Sequence, residues 1–188
     1  VMAYGDGDPD WINPPATIND FTYIASGNEF SIGIKPDGSL VIWGYILRPA
    51  ITFPPQLTAV TKVIIKERTV MALTKTGKVF IWQYGYDYND NNEIFTIPTG
   101  LENVQDIALG YNGAYALLLD GTIVGWGSSP CLLPGTYTRI TASEDFLAAI
   151  TPNGEVTTQG RDWAGGISAP IGLTNVVQIE AGNGGAAY

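Results

Sequence analysis

Histidine is absent from these 188 residues. With it go the imidazole general base, the Ser/His/Asp triad and every His-ligated metal centre. Cysteine occurs once, at Cys131, so no intramolecular disulfide forms, and the thiol has no imidazole to activate it. Basic residues are scarce, nine against eighteen acidic, for a net charge of -9. Phosphate backbones are bound mainly by clustered Lys and Arg, so nucleic acid is not an expected partner. No apolar run approaches the roughly 20 residues that span a bilayer, which argues against membrane insertion, and no charged-then-apolar leader is expected ahead of Val1. The chain reads as soluble, with an extracellular or virion-associated setting among the expectations and no compartment fixed. Sustained helical periodicity is missing as well.

What is present is glycine, 23 residues, and an apolar fraction of 45%, the profile of a turn-rich globular chain. Four segments repeat one grammar: "IASGNEFSIGIKPDGSLVIWG" (24–44), "IIKERTVMALTKTGKVFIW" (64–82), "IALGYNGAYALLLDGTIVGWG" (107–127) and "ITASEDFLAAITPNGEVTTQG" (140–160). In each, an apolar strand leads through a short loop to a second strand. A tight turn at Gly38, Gly77, Gly121 or Gly154 follows, and a third strand closes on Trp43, Trp82, Trp126 or Gln159. Asp37-Gly38, Asp120-Gly121 and Asn153-Gly154 are dipeptides favoured in two-residue hairpins, so strands two and three of each unit are expected to pair antiparallel. Pro-bearing pieces after each unit ("TFPPQL", "FTIPTG", "CLLPG", "SAPIGL") predict a fourth, outer strand, where one edge is unpaired.

Units of about 40 residues, each an antiparallel meander, predict an all-β propeller of four-stranded blades. An open solenoid of the same blades is the alternative. The last segment, "VVQIEAGNGGAAY" (176–188), matches the start of a unit, and the first, "VMAYG", matches a third strand. Pairing the two would complete a fifth blade and remove two exposed sheet edges. The expected domain is a single five-bladed propeller over 1–188, with blades near 18–56, 57–100, 101–138 and 139–175, and a fifth from 176–188 plus 1–17.

The phrases "IGIKPDGSLVIWG" (32–44) and "ALLLDGTIVGWG" (116–127) resemble the repeat of the regulator of chromosome condensation family, in which an apolar strand runs to a "DG" turn and a closing "WG". The lone first strand and the "EAG...AAY" ending are similar to the short-bladed, β-lactamase-inhibitory type of that family. The resemblance covers nearly the whole chain and implies a propeller. The family's Gly-Gln-Leu-Gly after "WG" and its His before the second strand are missing, and five units stand in place of seven, so the nucleotide exchange known in the family is not carried over.

An antiparallel meander brings the loops between strands one and two, and those after strand three, to one end of each sheet. These loops hold eleven acidic residues (Asp6, Asp8, Asp10, Glu29, Glu67, Asp87, Asp90, Glu93, Glu144, Asp145 and Asp162) against Arg48, Arg68 and Arg161, a net -8. They also hold Trp11, Tyr45, Tyr84, Tyr86, Tyr88, Tyr111 and Trp163, rings of the kind enriched at binding hot spots. Phe30 is grouped with them. An acidic, aromatic-studded loop end engaging a protein partner, as an inhibitor or attachment module, is the leading expectation. "QYGYDYNDNN" (83–92) is the loop least explained by turn formation alone.

Two other functions compete. A carbohydrate-binding propeller would stack sugars on Trp and Tyr, although the loop aromatics differ from blade to blade where repeated sites would be alike. A structural block of a larger complex or filament is the third. No enzyme activity is expected; paired carboxylates acting on a glycoside stay open by residue type. Asp6, Asp8 and Asp10, like Asp87, Asn89 and Asn91, alternate as at the start of a calcium loop, but the turn Gly and the twelfth-position Glu are missing. Calcium is therefore a weak candidate and no cofactor is expected.

Overall fold

The computed structural model describes residues 20–27, 29–44, 52–83, 96–144, 146–160, 169, 172–182 and 185–187. The chain divides into two compact units, Val1–Ile94 and Phe95–Tyr188. Among the described residues every regular element is a strand. In the first unit β1 (Tyr23–Ser26), β2 (Phe30–Ile34) and β3 (Leu40–Gly44) form one antiparallel sheet, and β4 (Val60–Lys66), β5 (Thr69–Thr74) and β6 (Val79–Gln83) a second. The second unit holds β7 (Val104–Leu109), β8 (Ala114–Leu118) and β9 (Ile123–Trp126), then β10 (Arg139–Ser143), β11 (Phe146–Ile150) and β12 (Val156–Gly160). A two-stranded pair, β13 (Glu180–Gly182) with β14 (Gly185–Ala187), follows. Each three-stranded sheet runs in chain order, the meander expected from the repeat.

The middle strands show why these residues form stacked sheets. Successive strand residues point to opposite faces, so a sheet with one wet side alternates in burial. In β5, Val70, Met71 and Ala72 are all fully buried, and β11 is buried from end to end. Both faces of these strands are covered, which accounts for their unbroken apolar runs. One core joins Phe30, Ile32 and Ile34 to Val63, Ile65 and Val70; another joins Tyr115 and Leu117 to Tyr137, Ile140 and Leu147.

The hairpins between second and third strands differ from the expected two-residue form. In all four, the glycine N–H donates three residues back (Gly38 to Lys35, Gly77 to Thr74, Gly121 to Leu118, Gly154 to Thr151), while that earlier residue's own N–H donates to the residue after the glycine. This pattern is a three-residue loop with glycine as the bulge residue. Only the glycines take positive φ, from 74° to 86°; Asp37, Asp120 and Asn153 do not. In two of the four, Pro36 and Pro152 account for the difference, since a two-residue hairpin would require each to donate an N–H it lacks, whereas the first central position of a turn suits proline; Lys75 and Leu119 stand there in the other two.

Three of these turns also dock on the segment that leads into, or opens, the following sheet. The Gly38 carbonyl accepts Val60 N–H at 3.1 Å, Gly121 accepts Tyr137 at 2.8 Å and Gly154 accepts Val176 at 3.0 Å. At the same end of the sheets, between first and second strands, Thr22, Thr61 and Thr138 hydroxyls donate to the carbonyls of Ile34, Leu73 and Ile150, and the Gln105 amide replaces them with Leu118. The Pro-bearing segments 52–57 and 131–135 lie outside the sheets, so no fourth paired strand is seen among the described residues. Their side chains pack instead: Phe53 meets Trp82 edge-on at 6.2 Å, and Leu133 is buried.

Candidate functional site

Antiparallel pairing gives every sheet a loop end, between strands one and two, and a turn end, between strands two and three. The loop ends alternate in form. Ser26 pairs with Ser31 and Leu109 with Ala114, leaving four-residue loops closed by Gly27 N–H to Phe30 O (2.9 Å) and Gly110 N–H to Gly113 O (2.7 Å). Lys66 pairs with Thr69 and Ser143 with Phe146, leaving two-residue loops in which Glu67 (φ 49°) and Glu144 (φ 41°) take left-handed backbone.

In the second unit the loop carrying Tyr111 is fixed on both sides. Tyr111 N–H donates to the Glu144 carbonyl at 2.8 Å, and Ser129 N–H donates to the Asn112 carbonyl at 3.1 Å. Gly110 permits this approach, because a Cβ there would sit 2.6 Å from the Glu144 oxygen. Tyr111 itself is 56% exposed. In the first unit Glu29, Glu67 and Arg68 are exposed at the loop end.

Phe30 must be withdrawn from the expected binding residues. It is 3% exposed and belongs to the core shared by β1–β3 and β4–β6, because it opens β2 facing inward. Trp11, Tyr45, Tyr84, Tyr86, Asp87, Tyr88, Asp145, Asp162 and Trp163 lie outside the described residues, as do Asp6, Asp8, Asp10, Asn89 and Asn91. Among the described residues no group of three or more acidic or cysteine side chains is placed to hold a metal ion. Cys131 is half-buried, and its backbone N–H donates to the buried Tyr115 hydroxyl at 3.0 Å.

The turn ends carry carboxylates used locally. Asp37 Oδ1 accepts Ser39 N–H at 2.9 Å, and Asp120 Oδ1 accepts both the N–H and the hydroxyl of Thr122, at 2.9 and 2.7 Å. Hydrogen bonds from Ser39 and from Thr122 hold the two carboxyls below their ordinary 3.8. In the other two hairpins a threonine hydroxyl does this work: Thr74 Oγ1 accepts Lys78 N–H and Thr151 Oγ1 accepts Glu155 N–H, each at 3.1 Å. Beside that last turn lies a cleft of about 430 Å³, lined by Thr138, Arg139 and Thr151–Gly154 on one side and by Asn175, Val176 and Val177 on the other. Sequence reasoning passed over it, because "TPNG" reads as a turn and nothing more.

No protein-family model and no curated protein matches the sequence. Solved structures do match. The CRINKLY WD40 ectodomain of the Arabidopsis thaliana receptor kinase ACR4 superposes with a TM-score of 0.67 at 17% identity, covering 94% of this chain and 62% of that one. Prp20p of Saccharomyces cerevisiae, the yeast RCC1, described with its binding to Gsp1p and histones, gives 0.63 at 15% identity, covering 94% and 56%. The computationally designed Ika4 protein gives 0.53 at 17%, covering 74% and 90%. The chain thus spans about six-tenths of the length of the two natural proteins, and the likeness establishes a β-propeller fold.

Proposed function

We propose that this chain is a non-enzymatic binding module that engages a protein partner through the loop end of its sheets. The observation that carries the reading is Tyr111, an aromatic residue 56% exposed on a loop held by Glu144 and Ser129. An aromatic presented from fixed backbone loses little conformational freedom on binding, as hot-spot residues do. The acidic loops read from the sequence add long-range steering toward a basic partner surface. Prp20p, a fold neighbour, binds protein partners, which supports the same use of the fold here.

In its finer form the fold is read as five blades, with the Pro-bearing segments as their outer layer and "VMAYG" as the strand beside β14. β13 and β14 form a two-stranded pair where the other sheets have a third strand in chain order, and this supports the reading.

The test is affinity capture with the tagged full chain from extracts of the organism that encodes it, followed by titration of the captured protein. Tyr111→Ala should weaken binding about tenfold or more, as expected of a hot-spot residue, with an unchanged melting temperature. Tyr86→Ala with Tyr88→Ala should do the same. Capture undiminished in both variants would overturn the loop-end assignment.

A further inference from the structure

The cleft at the turn end of the second unit stands apart from the loop end in position and in charge. At one end of it Gly154 docks on the segment leading to β13: the Gly154 carbonyl accepts Val176 N–H at 3.0 Å, and a Cβ at Gly154 would lie 2.8 Å from Asn175 Cα. This contact joins the turn to residues 175–177 at one point and leaves space on the side of Thr138 and Arg139.

Its lining is unusual for a chain of net charge -9. Among the described residues Arg139 is the one charged group that lines the cleft, and no carboxylate does. The corresponding turn position holds Asp37 in the first hairpin and Asp120 in the third, but neutral Asn153 here. Arg139 is exposed, and its Nη1 donates to the Thr138 carbonyl at 2.8 Å, which orients the guanidinium and leaves further N–H donors. Opposite it, Val177 is 84% exposed, and Val176 and Pro152 complete an apolar strip. An oriented guanidinium beside exposed aliphatic surface matches a carboxylate whose neighbouring group is aliphatic.

We infer that this cleft binds a peptide carboxylate flanked by an aliphatic side chain, with Arg139 taking the carboxylate and Val176, Val177 and Pro152 the aliphatic group. The carboxylate comes either from a chain terminus or from an Asp or Glu side chain. The site requires nothing of the loop end, so it stands or falls independently of the function proposed above.

Backbone amide NMR of the full chain, titrated with three short peptides, tests it: N-acetyl-Ala-Val as the free acid, the same peptide as its amide, and N-acetyl-Asp-Val-amide. The amides of Asn153, Gly154 and Val176–Val177 should shift with the free acid or the Asp peptide, whichever source applies, and not with the neutral amide. Arg139→Gln should weaken that binding about tenfold, the loss of one charge-assisted contact. Asn153→Asp restores the acid found in two sister turns, so the fold tolerates it, and it should abolish binding by repulsion. Equal shifts with the neutral amide, no shifts at these residues, or full binding by Arg139→Gln would each overturn the proposal.

Discussion

Gly38 and Gly100 share a φ of +80°, but their surroundings differ: a Cβ at Gly38 would lie 2.4 Å from Ala59 Cα, whereas one at Gly100 would meet nothing within 4 Å. Gly100→Ala should therefore cost only the left-handed backbone penalty, about 1–2 kcal/mol, and Gly38→Ala clearly more, because the docked backbone of the next sheet must move. Urea titration of the two variants separates strain from contact. The converse holds at Ala59, whose φ is 50° while its counterparts before β7 and in the segment leading to β13 are Asn103 and Asn175. Ala59→Asn should stabilise the chain by a few tenths to about 1 kcal/mol in the same titration. The turn glycines were legible in the sequence; their docking was not, because spacing along a chain does not show which backbone arrives from the next unit. Phe30 failed for a related reason. It adjoins a polar loop in sequence, but strand alternation turns it into the core.

Within an element, the two hairpin carboxylates give an acid response with a definite sign. Asp37 and Asp120 are held below 3.8 by their Ser39 and Thr122 donors, so the unfolded chain takes up protons first as pH falls. The contribution to stability is complete above the ordinary value and is lost as pH drops through the lowered one. Melting curves between pH 5 and 2 should show a shallower decline for Asp37→Asn with Asp120→Asn than for the parent chain. The repeat and its meander could be read from periodicity and from the recurring glycines. In two of the four hairpins the form of the turn was also written in Pro36 and Pro152, whose missing N–H excludes the shorter loop; Lys75 and Leu119 carry no such mark in the other two. Between sheets, the buried Asp106 accepts Ile107 N–H at 2.9 Å and reaches Ile140 N–H at 3.4 Å, joining β7 to β10. Asp106→Ala strips a buried acceptor from these amides and should cost about 1–3 kcal/mol, measurable by chemical denaturation. Nothing in "VQDIAL" marks that aspartate as an internal staple, since its acceptor role depends on a strand more than thirty residues away.

At the scale of the whole molecule, propeller architecture was legible because covered middle strands leave a signature in composition, an unbroken apolar run within each short repeat. Function was less legible, because loops carry it and loops follow no period. If residues 1–5 supply the strand beside β14, their deletion should lower the melting temperature by several degrees, as expected for lost strand pairing and an exposed edge. The claim that the loop end is the working surface is tested most directly by amide hydrogen exchange of the chain with and without its captured protein partner. Protection should appear in peptides spanning 27–30, 67–69 and 110–113, with the turns at 35–39, 74–78 and 118–122 unchanged. Protection confined to those turns, with the loop end exchanging as in the free chain, would contradict the account.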